Sequence, residues 1–241
     1  MYKLIILIIS SPGTIYEEFK RLQLKYLKLY ETELKYFFVE FKNDINQDII
    51  IDDYNIYIKG SESINPGMII KTCKAINWIN QNYEYEILLR TNLSTLLNLE
   101  NIFKFIDLLP KKNSFGGFSF CGFITGTGIF MSKYDSEILV SKYEFLNMNN
   151  INEDVLISQC LASNDSIYYN PVPQFKWALI INNRDVIISE GFLYYQTDSK
   201  FIEFEFDKDI LHYRINNSDN RQLDIQYFNF LLKKIYNIES N

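Results

Sequence analysis

Six apolar residues, Leu4-Ile5-Ile6-Leu7-Ile8-Ile9, run without a break into Ser10-Ser11-Pro12-Gly13. The run is too short to cross a bilayer, and only Lys3 precedes it as a charge. It ends in turn chemistry, not in a small-residue cleavage site, so it reads as a buried first strand and not as a signal peptide. The residues that follow support this. Between Tyr16 and Tyr30 the apolar residues Phe19, Leu22, Leu27 and Tyr30 recur at helical spacing. Tyr36 to Glu40 and Tyr54 to Ile58 read as strands. Pro66-Gly67 opens a helix through Ile70, Cys73, Ile76 and Trp78, with Pro near the first turn as expected. Tyr85 to Leu89 is the next strand. This βαβ rhythm predicts an α/β fold with a mostly parallel central sheet flanked by helices. Sheets of this kind hold ligands at the carboxyl ends of their strands.

Composition narrows the function classes. With 24 Lys and Arg against 30 Asp and Glu, the 241-residue chain carries a net charge of −6, which disfavours non-specific binding to nucleic acid. Hydrophobic residues make up 47% of it and charged residues 22%, so it is globular. Five Pro and 9 Gly exclude long disordered or collagen-like tracts. The length suits one large domain or two small ones. Cys73, Cys121 and Cys160 are odd in number and far apart, so neither a disulfide framework nor a structural zinc site is expected. Three buried thiols in a reducing, cytoplasmic setting fit best. No other apolar run is long enough to span a membrane.

The second half changes character. Ser114 to Ser132 is rich in glycine, aromatic and β-branched residues, and helices are expected over about Glu153–Ala162 and Leu223–Ile235. Four places could carry chemistry. Arg90-Thr91-Asn92-Leu93-Ser94 follows a strand, where Arg90 suits a carboxylate or phosphate, or where Asn92 or Ser94 caps a helix running toward Phe103. Thr125-Gly126-Thr127-Gly128 lets backbone approach a ligand, or forms a bulge or tight turn. It matches neither a P-loop nor a dinucleotide fingerprint. Glu153-Asp154 opens a helix, either as capping acids or with Asp154 as a general base. His212, the one histidine, stands beside Tyr213-Arg214, with no nucleophile elbow in view.

The order of these motifs resembles the GT-A glycosyltransferases of the Fringe and beta-galactosyltransferase type, and most closely the small glycosyltransferases of giant viruses. The glycine segment Thr125 to Ser132, Glu153-Asp154-Val155 and the late His212 carry the likeness. The resemblance implies a single GT-A-like, Rossmann-like domain over residues 1–241. Its nucleotide-binding half would be about 1–95 and its acceptor and catalytic half about 96–241. It implies transfer of a sugar from a nucleotide-sugar, UDP-sugar favoured, to a hydroxyl of a glycan or glycoprotein, with inversion. Asp154 would be the base. Ser10, Ser11 and Pro12 would lie near the nucleoside. Arg90, Thr91, Asn92 and Ser94 would line the ribose, diphosphate or donor sugar, and Gly126, Thr127, Gly128 and Glu153 would face donor or acceptor. Lys71, Arg90, His212 and Arg214 would supply cations.

The chain departs from the family at the Asp-x-Asp position, which here reads Thr91-Asn92-Leu93-Ser94. Without that pair a Mg²⁺ or Mn²⁺ ion lacks its usual carboxylates, which points to metal independence. If viral, the protein would work in the host cytoplasm or the virion. Two other readings stand beside this one: a non-catalytic nucleotide-sugar or glycan binder on the same scaffold, and a nucleotidyltransferase. The latter needs a carboxylate pair, and Asp52-Asp53, the one adjacent aspartate pair, reads as a turn. Trp177 and Tyr194-Tyr195 could stack on an acceptor sugar or pack in the core.

Overall fold

The first apolar run is a strand, Tyr2–Ile9, with parallel neighbours on both sides. A computed structural model describes residues 1–146, 150–182, 190–198, 200–217 and 220–239. The chain forms two compact units, each gathered from three segments. One comprises Met1–Pro12, Glu31–Asn92 and Leu109–Asn170, and the other Gly13–Tyr30, Leu93–Leu108 and Pro171–Asn241.

The first unit is built on an eight-stranded sheet. Its order is Ile167–Tyr169, Ser114–Gly116, Ile129–Ser132, Tyr85–Asn92, Tyr2–Ile9, Leu34–Lys42, Asn55–Lys59, Ile49–Asp52. The four strands from Tyr85–Asn92 to Asn55–Lys59 are parallel, and antiparallel strands flank them. A strand buried on both faces has no polar side to show, which is why Leu4–Ile9 lacks alternation. On one face Ile5, Leu7, Phe37, Val39 and Leu88 share a core with Ile76, Ile79, Leu139 and Ile157. These come from the helices Gly67–Asn82, Lys133–Lys142 and Glu153–Ala162. Each such side chain stabilises the fold by about 1.5–3 kcal/mol on burial. At the sheet's antiparallel side, the fully buried Asp135 accepts from Ser114 N at 2.6 Å, and from Ser132 and Ser166 hydroxyls.

The second unit holds a four-stranded sheet in the order Phe192–Gln196, Lys176–Ile181, Ile210–Ile215, Thr95–Leu97. Its helices are Thr14–Leu27, Leu99–Ile106 and Arg221–Tyr236. Aromatic pairs join them, with the Phe19 and Phe228 rings 5.7 Å apart and Tyr26 stacked on Tyr236 at 4.8 Å.

Several expectations need correction. The strand expected to stop at Leu89 continues to Asn92, and Thr95–Leu97 is itself a strand. Asn92 and Ser94 therefore cap nothing, and the helix Leu99–Ile106 is capped by the Asn98 side chain. Cys73 and Cys160 are buried, but Cys121 is exposed at the tip of the hairpin Ser119–Phe120/Phe123–Ile124, where its φ is +51°. Asp52-Asp53 is a hairpin turn, with Asp53 at φ +51°. No helix among the described residues is long and apolar enough to cross a membrane.

Gly117 follows the strand Ser114–Gly116 at φ +144°. A Cβ there would stand 2.4 Å from the Gly128 carbonyl oxygen and 2.5 Å from Ile124 Cγ2. Gly117→Ala is expected to lower unfolding free energy by about 1–3 kcal/mol, read from the denaturant midpoint. An unchanged midpoint would show that the turn yields freely.

Candidate functional site

In the first unit, the carboxyl end of the strand Tyr85–Asn92, the turn Thr125–Gly128 and the start of the helix Glu153–Ala162 are tied together by side-chain hydrogen bonds. Arg90 lies inside the strand with its side chain 2% exposed, and it faces Glu153, 3% exposed. Its Nε donates to Glu153 Oε1 at 3.1 Å, and Nη2 donates to Oε2. Nη1 donates to Asn92 Oδ1 at 3.1 Å and to the Gly126 carbonyl, and Nη2 also reaches Met68 Sδ at 3.5 Å. The Thr72 hydroxyl donates to Glu153. Removing two charges from water costs several kcal/mol per ion, and only a fully hydrogen-bonded arrangement offsets it. This guanidinium meets that condition.

The turn is held from both sides. Asn92 Nδ2 donates to the Gly126 carbonyl at 2.8 Å, and Thr91 Oγ1 donates to the Thr127 carbonyl at 2.7 Å. The Gly128 N–H closes the turn on the Thr125 carbonyl at 3.3 Å. Gly126 N–H then donates to Asp154 Oδ2 at 3.0 Å, and Val155 N–H to Oδ1 at 3.0 Å. A Cβ on Gly126 would lie 3.0 Å from Arg90 Nη1 and 3.4 Å from Asp154 Oδ2, so glycine is what lets both approach. Asp154 is partly exposed. A carboxylate accepts about four hydrogen bonds, so two amide donors leave room for an incoming hydroxyl.

Lys71 forms a second cluster in this unit. It donates to both Glu62 oxygens, at 2.9 and 2.8 Å, and to the Ser10 carbonyl at 2.7 Å. Burial pushes its pKa down, while Glu62 pulls it back up. Ser10 is buried and its hydroxyl donates to Glu40 at 3.4 Å, whereas Ser11 is half-buried and Pro12 exposed. In the second unit Arg214 donates to the Ser94 hydroxyl. His212 is fully buried in the strand Ile210–Ile215, and burial, then Arg214, pushes its pKa down to about 3. Trp177 packs on Phe192 at 4.5 Å and Tyr195 on Phe204 at 4.0 Å, while Tyr194 is half-buried.

The expected cationic cradle is thus not one of free charges. Arg90 and Lys71 are each matched to a carboxylate, and burial, with Arg214 close by, holds His212 neutral at physiological pH. Thr72, Met68 and Glu62, which complete these clusters, carry no motif and were not legible in the sequence.

The residues at the Asp-x-Asp position do not fit a divalent cation. Thr91 and Ser94 offer neutral oxygens, and Asn92 Oδ1 is turned toward the Arg90 guanidinium. Among the described residues no group of three or more His, Cys, Asp or Glu side chains is placed to hold a metal.

No protein-family model matches the chain, and no curated protein does. Among solved structures it is similar to a glycosyltransferase involved in the glycosylation of the major capsid of PBCV-1. The TM-score is 0.53 at 13% identity, over 93% of this chain and 98% of that one. The shared feature is the fold, a mixed α/β arrangement with a large, mostly parallel sheet.

Two predictions follow from the charges. Arg90→Met should cost about 3–5 kcal/mol, because Glu153 keeps its burial and loses its counter-charge. The double variant Arg90→Met/Glu153→Leu should regain most of it, since Asn92 still serves the Gly126 carbonyl. Denaturant unfolding of both variants checks this. His212 stays neutral in the folded state down to about pH 3, whereas the unfolded chain takes up its proton near pH 6.5. Stability should therefore fall as pH drops below 6.5, by about 2 kcal/mol from this residue at pH 5. A His212→Gln variant should lack that slope, and an equal slope in both proteins would count against the burial of a neutral imidazole.

Proposed function

We propose that the chain is a glycosyltransferase that moves a sugar from a nucleoside diphosphate sugar, UDP-sugar favoured, to an acceptor hydroxyl with inversion. The observation that carries the reading is the Asp154 carboxylate. It is partly exposed, oriented by two backbone amides, and set at the carboxyl edge of a parallel sheet in a fold like that of a sugar transferase. Asp154 takes the proton from the acceptor hydroxyl as its oxygen attacks the anomeric carbon. The bond from that carbon to the diphosphate oxygen breaks, and its electron pair leaves with the nucleoside diphosphate. No step is assigned to a metal, because the donor set at residues 91–94 does not suit one.

Arg90 and Glu153 act in this scheme as positioning residues. They fix the Gly126 peptide, and that peptide fixes Asp154. Ser11 and Pro12, at the end of the first strand, are proposed for the nucleoside.

A thermal-shift panel of nucleotide-sugars, each with Mn²⁺ and with EDTA, tests the donor. Binding at a hundred times Kd should add about 2.7 kcal/mol to stability, unchanged by EDTA. Asp154→Asn should leave that shift in place and lower transfer by about 10²–10⁴-fold. No shift with any nucleotide-sugar would reject the transferase reading. A shift with no turnover by the wild type would favour a binding protein on the same scaffold.

A further inference from the structure

A pocket of about 200 Å³ opens beside the Asp154 helix, within the first unit. Its walls are Phe115 from the strand Ser114–Gly116, Tyr168 from the edge strand Ile167–Tyr169, Phe123 and Ile124 from the hairpin, and Ser158 and Ala162 from the helix. Phe115 and Tyr168 are ring neighbours at 5.7 Å. The pocket is coupled to the base by short bonds. Ser158 lies one turn after Asp154, and its hydroxyl donates to the Asp154 carbonyl at 2.8 Å. The same oxygen accepts from Ile124 N–H at 2.9 Å. Four residues of helix rise about 6 Å, so the Ser158 wall of the pocket stands about that far along the helix axis from Asp154.

Its interior is apolar by construction. The Ser158 proton is committed to the Asp154 carbonyl, and the Tyr168 hydroxyl donates to the Gly117 carbonyl at 2.8 Å. Neither offers a proton to a ligand. A nucleobase would enter with its polar edge unserved, which disfavours it in such a site. A pyranose differs, because its C–H face lies flat on aromatic rings while its hydroxyls stay at the wet rim, where Ser119 is exposed.

We infer that this pocket is an acceptor subsite, binding the C–H face of a pyranose ring next to the one whose hydroxyl meets Asp154. Naming that ring part of an acceptor rests on the proposed transfer reaction. The pocket's affinity for a pyranoside does not.

Cys121, exposed at the hairpin tip between Phe120 and Gly122, provides a readout independent of turnover. Burial raises the pKa of Cys73 and Cys160, which keeps them unreactive. The full-length protein is alkylated with iodoacetamide in the presence of methyl pyranosides of glucose, galactose, mannose, N-acetylglucosamine and xylose, and separately of uridine. At least one pyranoside should slow Cys121 alkylation several-fold. Ala162→Phe and Ser119→Trp, two exposed positions that fill or cover the pocket, should abolish that protection at an unchanged melting temperature. Protection by uridine alone, by no compound, or equally in both variants would overturn the inference. Nucleotide-sugar hydrolysis without acceptor is assayed in parallel. If it is present while protection is absent, the subsite fails and the transferase stands. If protection is present while hydrolysis and nucleotide-sugar binding are absent, the transferase fails and a pyranoside-binding pocket remains.

Discussion

A buried guanidinium, Arg90, and a buried carboxylate, Glu153, hold the corner of the first unit around Asp154 in one arrangement. They join a strand of the sheet to the first residue of a helix, and through the Gly126 carbonyl they fix the turn between them. A pair this far from water cannot slide, because every lost hydrogen bond would leave a charge poorly solvated. Asp154 follows Glu153 in sequence and takes its second anchor from the Gly126 amide. Its position is therefore set by a neighbour on the chain and by a turn that the same ion pair controls. The sequence places an arginine and two acids 63 and 64 residues apart. Folding turns them into one rigid corner with a partly exposed carboxylate at its rim.

The parallel sheet was legible because its strands are buried on both faces and so appear as unbroken apolar runs, as at Leu4–Ile9. The helix Gly67–Asn82 was legible from Pro66-Gly67 at its start and from Ile70, Cys73, Ile76 and Trp78. The helix Lys133–Lys142 was not, because its buried residues are Asp135, Ser136 and Leu139, which make no apolar stripe. Asn98 lost the capping assignment to Asn92 and Ser94 because the short strand Thr95–Leu97 is invisible to periodicity at three residues. Arg90 was legible as a residue with a bidentate partner at a strand end. That the partner is Glu153 depends on a contact across 63 positions, which no local pattern encodes. The second unit's segments, drawn from three parts of the chain, likewise leave no boundary in composition.

The matched cations also constrain how a diphosphate can be handled. Arg90 with Glu153 and Lys71 with Glu62 each sum to zero charge, so Asp154 leaves its corner of the unit anionic. Two unit charges 8 Å apart at an effective dielectric constant of 20 repel by about 2 kcal/mol, and closer approach costs more. Before transfer in the proposed reaction the carboxylate base and the donor's diphosphate are both negative, and the base loses its charge only as it takes the acceptor proton. An in-line displacement keeps them on opposite faces of the anomeric carbon, as far apart as a single substitution allows. A front-side course would bring the diphosphate toward Asp154 with no unmatched arginine or lysine of this corner between them. For the proposed reaction, the charge pattern around Asp154 thus favours an inverting course over a front-side one. Backbone N–H groups, which carry partial positive charge without a paired carboxylate, then become the natural partners for the leaving group.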